Sequence, residues 1–211
     1  MKLNLSLYLI ADAGVPTRLP FLQTIEEALM GGVTMVQLRS KNNTFREFME
    51  IASPVRVITS KYQVPFIIND NIRVAREINA DGVHLGQGDL PIEQARKILG
   101  HKKIIGISTH NREEAHEAGT KGADYIGAGT VFPTASKDDI TGIIGVEGLR
   151  KIVLSAKLPV VAIGGIDILN AAAVMETGVT GVAVISSIMK SDTPRETAER
   201  FRAIIDRQRK V

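Results

Sequence analysis

Eight short runs rich in β-branched residues alternate along this chain with eight stretches of helical spacing, and this alternation constrains the fold more than any single motif. The strand-like runs are Leu5 to Ala11, Thr34 to Leu38, Val64 to Ile68, Gly82 to Leu85, Lys103 to Ile107, Asp124 to Gly127, Pro159 to Ile163 and Gly181 to Ile185. Continuous Val/Ile/Leu runs are what strands need when helices cover both of their faces. The helical stretches are Leu19 to Met30, Thr44 to Lys61, Ile72 to Ile78, Ile92 to Leu99, Arg112 to Lys121, Val146 to Ser155, Ile168 to Thr177 and Pro194 to Arg207. Gly31-Gly32-Val33-Thr34, Ala80-Asp81-Gly82-Val83, Gly122-Ala123-Asp124-Tyr125 and Gly178-Val179-Thr180-Gly181 each close a helix with glycine and open a strand. Eight such units in 211 residues, with no linker-like stretch, predict one (β/α)8 TIM barrel over residues 1–211, not an open doubly wound sheet. No Gly-x-Gly-x-x-Gly follows the first run and no Gly-Lys-Ser/Thr loop occurs, so nucleotide-binding open sheets lose their usual signatures. Pro54, inside the second helical stretch, predicts a kink or a restart there.

Composition narrows the class. With 44% hydrophobic and 23% charged residues the chain reads as globular. It has no cysteine, which excludes disulfides and thiolate metal sites and fits a reducing, cytoplasmic compartment. No apolar stretch reaches the roughly 18 residues of a membrane span. The net charge is +3, but the Lys and Arg residues are scattered and form no basic stripe interleaved with aromatics, so small anionic ligands are expected and nucleic acid is not.

Parallel strands all point one way, so polar residues just beyond them converge on one face, where a barrel carries its chemistry. After the second run come Gln37, Arg39 and Lys41, at alternate spacing, read as an anion-binding set. Asn69-Asp70 ends the third run; it reads either as a helix N-cap or as a site, and two candidate caps in succession leave one side chain over. Asp89, after the fourth, has the same two readings. Two carboxylates on neighbouring loops beside a basic trio suit magnesium, which keeps waters and takes phosphate oxygens as its remaining ligands. The four histidines lack paired helical spacing, so no zinc site is read. His84 is expected to point into the barrel or a neighbouring layer as a hydrogen-bonded residue, whereas His110 and Ser108 sit at a strand end within reach of a ligand. Gly127 to Lys137 combines glycines with hydroxyls and an ammonium that can hold an anion. Asp138 to Gly145, with three isoleucines, reads as a lid with no place in a core. Gly164-Gly165 after the seventh run and Ser186-Ser187 after the eighth stand where barrels form phosphate sites.

Five segments together resemble the thiamine-phosphate synthase family: Val36-Gln37-Leu38-Arg39-x-Lys41, Pro65-x-x-Ile-Asn69-Asp70, Asp81-Gly82-Val83-His84-Leu85-Gly86-Gln87-x-Asp89, Phe132-Pro133-Thr134-x-Ser136-Lys137 and Ala162-Ile163-Gly164-Gly165-Ile166. They occur in the family's order, and the resemblance runs from Leu7 to Phe201. It implies a transferase that joins an aminopyrimidine methyl diphosphate to a thiazole phosphate and releases pyrophosphate. By the same resemblance Gln37, Arg39, Lys41, Asn69, Ser108 and Lys137 hold the pyrimidine diphosphate, with Arg39, Lys41, Ser108 and Lys137 opposing charge on the leaving group. Asp70 and Asp89 are the implied magnesium ligands, and Thr134, Ala135, Ser136, Gly165, Ile185 and Ser186 the implied thiazole phosphate site. Association into a homo-oligomer is a further expectation. The chain departs from the family's pattern at Ser40, at Ser136 in place of a frequent threonine, and at Asp138 beside Lys137. Two rivals stay open at this point. One is a related thiazole tautomerase that works without magnesium, with His110 as acid and base. The other is a non-catalytic module that binds thiazole phosphate in the same pocket.

Overall fold

In a computed structural model, which describes residues 3–134 and 142–209, eight parallel strands close into a barrel in sequence order, each followed by helix. The strands are β1 (Leu7–Asp12), β2 (Met35–Arg39), β3 (Phe66–Asn69), β4 (Gly82–Leu85), β5 (Ile104–Thr109), β6 (Tyr125–Ala128), β7 (Val160–Ile163) and β8 (Gly181–Val184). The helices are α1 (Phe21–Met30), α2 (Phe45–Lys61), α3 (Ile72–Glu77), α4 (Ile92–Leu99), α5 (Arg112–Thr120), α6 (Gly145–Ser155), α7 (Ala171–Met175), α8 (Ser186–Met189) and α9 (Pro194–Gln208). Closure is made by β1 and β8, in register at Leu7 with Val182 and Leu9 with Val184. β1, β2, β4, β6 and β8 are buried along their whole length, as expected of strands sandwiched between a filled interior and a ring of helices.

The predicted elements are all present, and their shifted ends have local causes. β1 begins at Leu7 because Asn4 Oδ1 takes the Ser6 amide at 3.2 Å and turns the chain first. Val64 belongs to a turn, its amide bonded to the Thr59 carbonyl of α2, so β3 starts at Phe66. Asp167 Oδ1 accepts the amides of Leu169 and Asn170, which delays α7 to Ala171. Pro54 neither ends nor restarts α2, which runs unbroken from Phe45 to Lys61. A proline removes only one backbone bond from a helix, and this one is secured by a capping box in which Thr44 and Glu47 exchange hydrogen bonds. Helix α8, four residues long, is an element that helical periodicity does not reveal.

At the opening rim, where strands begin, one latch appears twice. Asp81, before β4, accepts the Phe66 amide at 2.8 Å and Arg56 Nη1 of α2 at 2.6 Å. Asp124, before β6, accepts the Ile105 amide at 2.7 Å and Arg96 Nη2 of α4 at 2.8 Å. Each carboxylate ties a strand start to the helix of an earlier unit. Arg209, just past α9, completes this rim through contacts to Ser6 Oγ and the Thr180 carbonyl.

Candidate active site

The opposite rim, where strands end, holds two cavities above a common floor. The first, about 280 Å³, is lined by Arg39, Lys41, Asn69, Asp70, His84, Gly86, Gln87, Gly88, Ser108 and His110. The second, about 260 Å³, lies over the ends of β6 to β8 and is lined among others by Thr130, Thr134, Gly164, Gly165, Ile185, Ser186, Ser187 and Lys190. Beneath them a small space is bounded by Tyr8, Gln37, His84, Tyr125, Gly127, Ile163 and Ala183. His84 belongs to both the floor and the first cavity, and Ile163 and Ala183 to both the floor and the second, so the two cavities are neighbours.

The first cavity brings together most of the residues that the sequence nominated. Arg39 ends β2 almost fully buried and pairs with buried Asp12 at the end of β1. Asp12 Oδ1 also accepts the Gly14 amide at 2.9 Å, so the guanidinium is fixed in the wall. The N-cap of α3 is Asn71, which accepts the Val74 amide at 3.0 Å, and not Asn69 or Asp70. Asp70 adopts the left-handed region, φ 60°, which costs a non-glycine residue strain of the kind that clusters at functional sites. Asp89 is not a helix cap either. It is exposed, and its Oδ2 accepts the Gly86 amide at 2.6 Å, closing the β4–α4 loop into a turn beside the cavity. Gln87 braces that loop against β5 by donating to the Ser108 carbonyl at 2.6 Å. His110 is oriented by Glu114, whose Oε2 lies 3.0 Å from its Nδ1 and also takes its backbone amide at 2.8 Å.

Gln37 parts from Arg39 and Lys41. It is 2% exposed, and its Nε2 donates to Tyr8 Oη at 2.7 Å on the floor. Alternate residues share a face of a strand but differ in depth by about 7 Å, so the predicted trio divides into two rim cations and one deeper amide. Tyr8 Oη in turn lies 2.9 Å from Tyr125 Oη, Tyr125 Oη 2.9 Å from His84 Nδ1, and His84 Nε2 3.1 Å from Ser108 Oγ. Burial pushes both phenols above the usual tyrosine range, so both stay protonated at neutral pH. Tyr8 and Tyr125 are site residues that the sequence did not single out, and the signal available for Tyr125 was Gly106, its register partner on the adjacent strand β5.

In the second cavity Thr134, Gly165, Ile185 and Ser186 meet as expected, joined by Lys190, which the sequence did not single out. Gly164 and Gly165 both have positive φ, 102° and 62°. A side chain on Gly165 would meet the Pro133 carbonyl oxygen at 2.5 Å, so only glycine lets the β6 and β7 loops close on each other. Ser187 is spent on that packing through the Ile166 carbonyl at 2.7 Å. Ala135, Ser136 and Lys137, and residues 138–141 of the expected lid, lie outside the described residues. Beyond them the chain is anchored by the Ile144 amide on the Thr130 carbonyl at 2.8 Å, Ile144 packs against the core, and Gly145 opens α6. The last residues read as a lid therefore belong to the fold.

A family model described as thiamine monophosphate synthase matches residues 7–188, which takes in the floor, the first cavity and all of the second but Lys190. The chain belongs to the thiamine monophosphate synthase family. A thiamine-phosphate synthase of Clostridium novyi is 52% identical over 192 residues, 91% of this chain and 94% of that one. The solved thiamine phosphate pyrophosphorylase of Pyrococcus furiosus superposes with a TM-score of 0.88 at 46% identity, covering 97% of each chain. An N-acetylmannosamine-6-phosphate 2-epimerase from Clostridium perfringens shares the barrel alone, with a TM-score of 0.65 at 16% identity over 94% of this chain and 93% of that one. Thiamine-phosphate synthase function, a transferase activity in thiamine biosynthesis, is thereby the function of the family member described here. Among the described residues no helix is long and apolar enough to cross a membrane.

Proposed function

We propose that the two cavities take the two halves of one condensation, in which 4-amino-2-methyl-5-(diphosphooxymethyl)pyrimidine and a thiazole ethyl phosphate give thiamine phosphate and pyrophosphate. The observation that carries this reading is the shared floor, which sets a cation-walled cavity beside a glycine- and serine-walled one. In the first, Arg39 and Lys41 hold the diphosphate with Asn69, and Lys137 is assigned to the same group. Ser108 hydrogen-bonds at the same end, and Gln37 meets the pyrimidine from below. In the second, the thiazole phosphate lies against Thr134, Ala135, Ser136, Gly165, Ile185 and Ser186.

The chemistry needs no covalent attachment to the protein. The methylene C–O bond breaks, pyrophosphate takes the electron pair, and the aminopyrimidine spreads the positive charge until the thiazole nitrogen attacks the methylene carbon. Arg39, fixed by Asp12, and Lys41 face negative charge as it accumulates on the leaving group, the preorganised electrostatics that dominates many barriers.

Magnesium fits this donor set. Asp70 lines the cavity, and Asp89, exposed on the β4–α4 loop beside it, would be the second ligand. Two carboxylates are what such an ion asks of a protein when substrate phosphates and water complete its shell. When bound there, it offsets charge on the diphosphate. With both substrates present, pyrophosphate release is expected only with magnesium, and Asp89→Asn is expected to lower turnover far more than the unfolding midpoint. Equal rates after chelation would remove the magnesium assignment.

One observation favours a second reading. Glu114 orients the His110 imidazole on the first cavity's wall, an arrangement suited to proton transfer in a tautomerase. Tautomerisation of the thiazole phosphate without pyrimidine consumption would support it.

A further inference from the structure

The floor contains three buried groups, Tyr8, Tyr125 and His84, that the reaction above does not use, and they form an unbroken chain between two residues that it does use. Elementary proton counting gives that chain a direction. An amide nitrogen can only donate, so Tyr8 Oη accepts from Gln37 Nε2 at 2.7 Å and its single proton goes to Tyr125 Oη at 2.9 Å. Tyr125, having accepted, donates to His84 Nδ1 at 2.9 Å. Nδ1 then carries no proton, the ring proton sits on Nε2, and Nε2 donates to Ser108 Oγ at 3.1 Å. Each hydroxyl accepts once and donates once, so reversing one member reverses all of them. The consequence falls at the ends. Gln37 has its carbonyl Oε1 left for a ligand, and the Ser108 proton is left to donate.

The barrel is built around this chain. A Cβ on Gly106 would stand 2.1 Å from Tyr125 Cζ, and one on Gly127 would stand 3.1 Å from His84 Cε1. These two glycines, on β5 and β6, leave room inside the barrel for the phenol and the imidazole. The rings also pack on one another, with Tyr8 and Tyr125 edge to face at 5.9 Å between centroids and His84 tilted on Tyr125 at 5.5 Å.

We propose that Tyr8, Tyr125 and His84 are positioning residues forming a one-way hydrogen-bond wire that holds His84 as its Nε2–H tautomer and so fixes Gln37 as an acceptor and Ser108 as a donor toward the pyrimidine diphosphate. The wire itself is read from the floor alone, and only its use rests on the function proposed above. An aminopyrimidine supplies the donor that Gln37 Oε1 then requires, and the departing diphosphate supplies the oxygen that the Ser108 hydroxyl requires.

The test is the tautomer of His84 in the substrate-free protein at pH 7, read from long-range proton–nitrogen correlations of protein labelled with 15N-histidine and assigned by the signals lost in His84→Gln. The wild-type ring is expected as Nε2–H. Tyr8→Phe is expected to leave it so, because Tyr125 still donates to Nδ1, whereas Tyr125→Phe is expected to let the Nδ1–H form appear. An Nδ1–H ring, or one carrying both protons, in the wild type overturns the proposal without any variant having to fold, and a tautomer indifferent to Tyr125→Phe overturns it equally. In turnover, Tyr125→Phe is expected to lower kcat for pyrophosphate release about tenfold, the effect of one misdirected hydrogen bond, with KM for the pyrimidine diphosphate changed less than kcat. An unchanged kcat overturns the positioning role even if the tautomer shifts. Absence of synthase turnover in the wild type, with the Nε2–H ring in place, would instead count against the function and leave the wire standing.

Discussion

The two rims of this barrel use the same residue types to opposite ends. At the rim where strands begin, Asp81 and Asp124 each take one backbone amide and one arginine from a helix, and Arg209 bonds to Ser6 and Thr180. There the charges close the structure on itself. At the other rim Arg39, Lys41, Asn69, Asp70, Ser108 and His110 are gathered round a cavity. Latches at one end and an open mouth at the other fit the division of a barrel into a face for stability and a face for chemistry. Charged side chains at a strand end acquire a function only when the fold leaves them facing a space.

Arg39 should break this comparison most severely, because it belongs to both kinds of arrangement. Arg39→Ala removes a cation from the mouth and orphans buried Asp12, so urea unfolding should show a loss of about 3–5 kcal/mol along with the loss of turnover. Lys41→Ala should separate the two effects. Turnover is expected to fall about 100-fold, with stability unchanged within about 0.5 kcal/mol. Asp124→Ala is the converse. It leaves the Ile105 amide and Arg96 without their shared acceptor and should cost about 1–3 kcal/mol in urea unfolding, with kcat of the folded enzyme unchanged. A large loss of kcat in Asp124→Ala would show that the rims are coupled. The smallest effect lies on the outer ring. The Glu47 carboxyl is held below its ordinary range, first by the Thr44 backbone amide and then by the Thr44 hydroxyl. A carboxyl with a lowered folded-state pKa adds stability above its unfolded value and loses it as pH falls through the folded one. The stability difference between wild type and Glu47→Gln should therefore be present at pH 7 and vanish in the acid range; a constant difference across pH would deny the carboxylate that role.

The barrel was legible in the sequence because strands buried on both faces must be apolar throughout, and four of the returns to the sheet carried a glycine signal. Residues standing at the mouth's edge, such as Asn69, Asp70 and Ser108, were legible for the same reason, as polar breaks at the end of apolar runs. Depth was not. Gln37 shares a strand face with Arg39 yet lies on the floor, and Tyr8 and Tyr125 look like core in a sequence because a phenol's hydroxyl matters only once its partners are known. Lys190 was missed because it follows a helix too short to show a period. The choice between cap and site at Asn69-Asp70 turned on Asn71, which the structure makes the cap.

The most direct test of the joined cavities is mass detection of product after the purified protein is incubated with the pyrimidine diphosphate, the thiazole phosphate and magnesium. Thiamine phosphate and pyrophosphate in equal amounts are the expected result. Thiazole that changes tautomer while the pyrimidine diphosphate stays intact would contradict it.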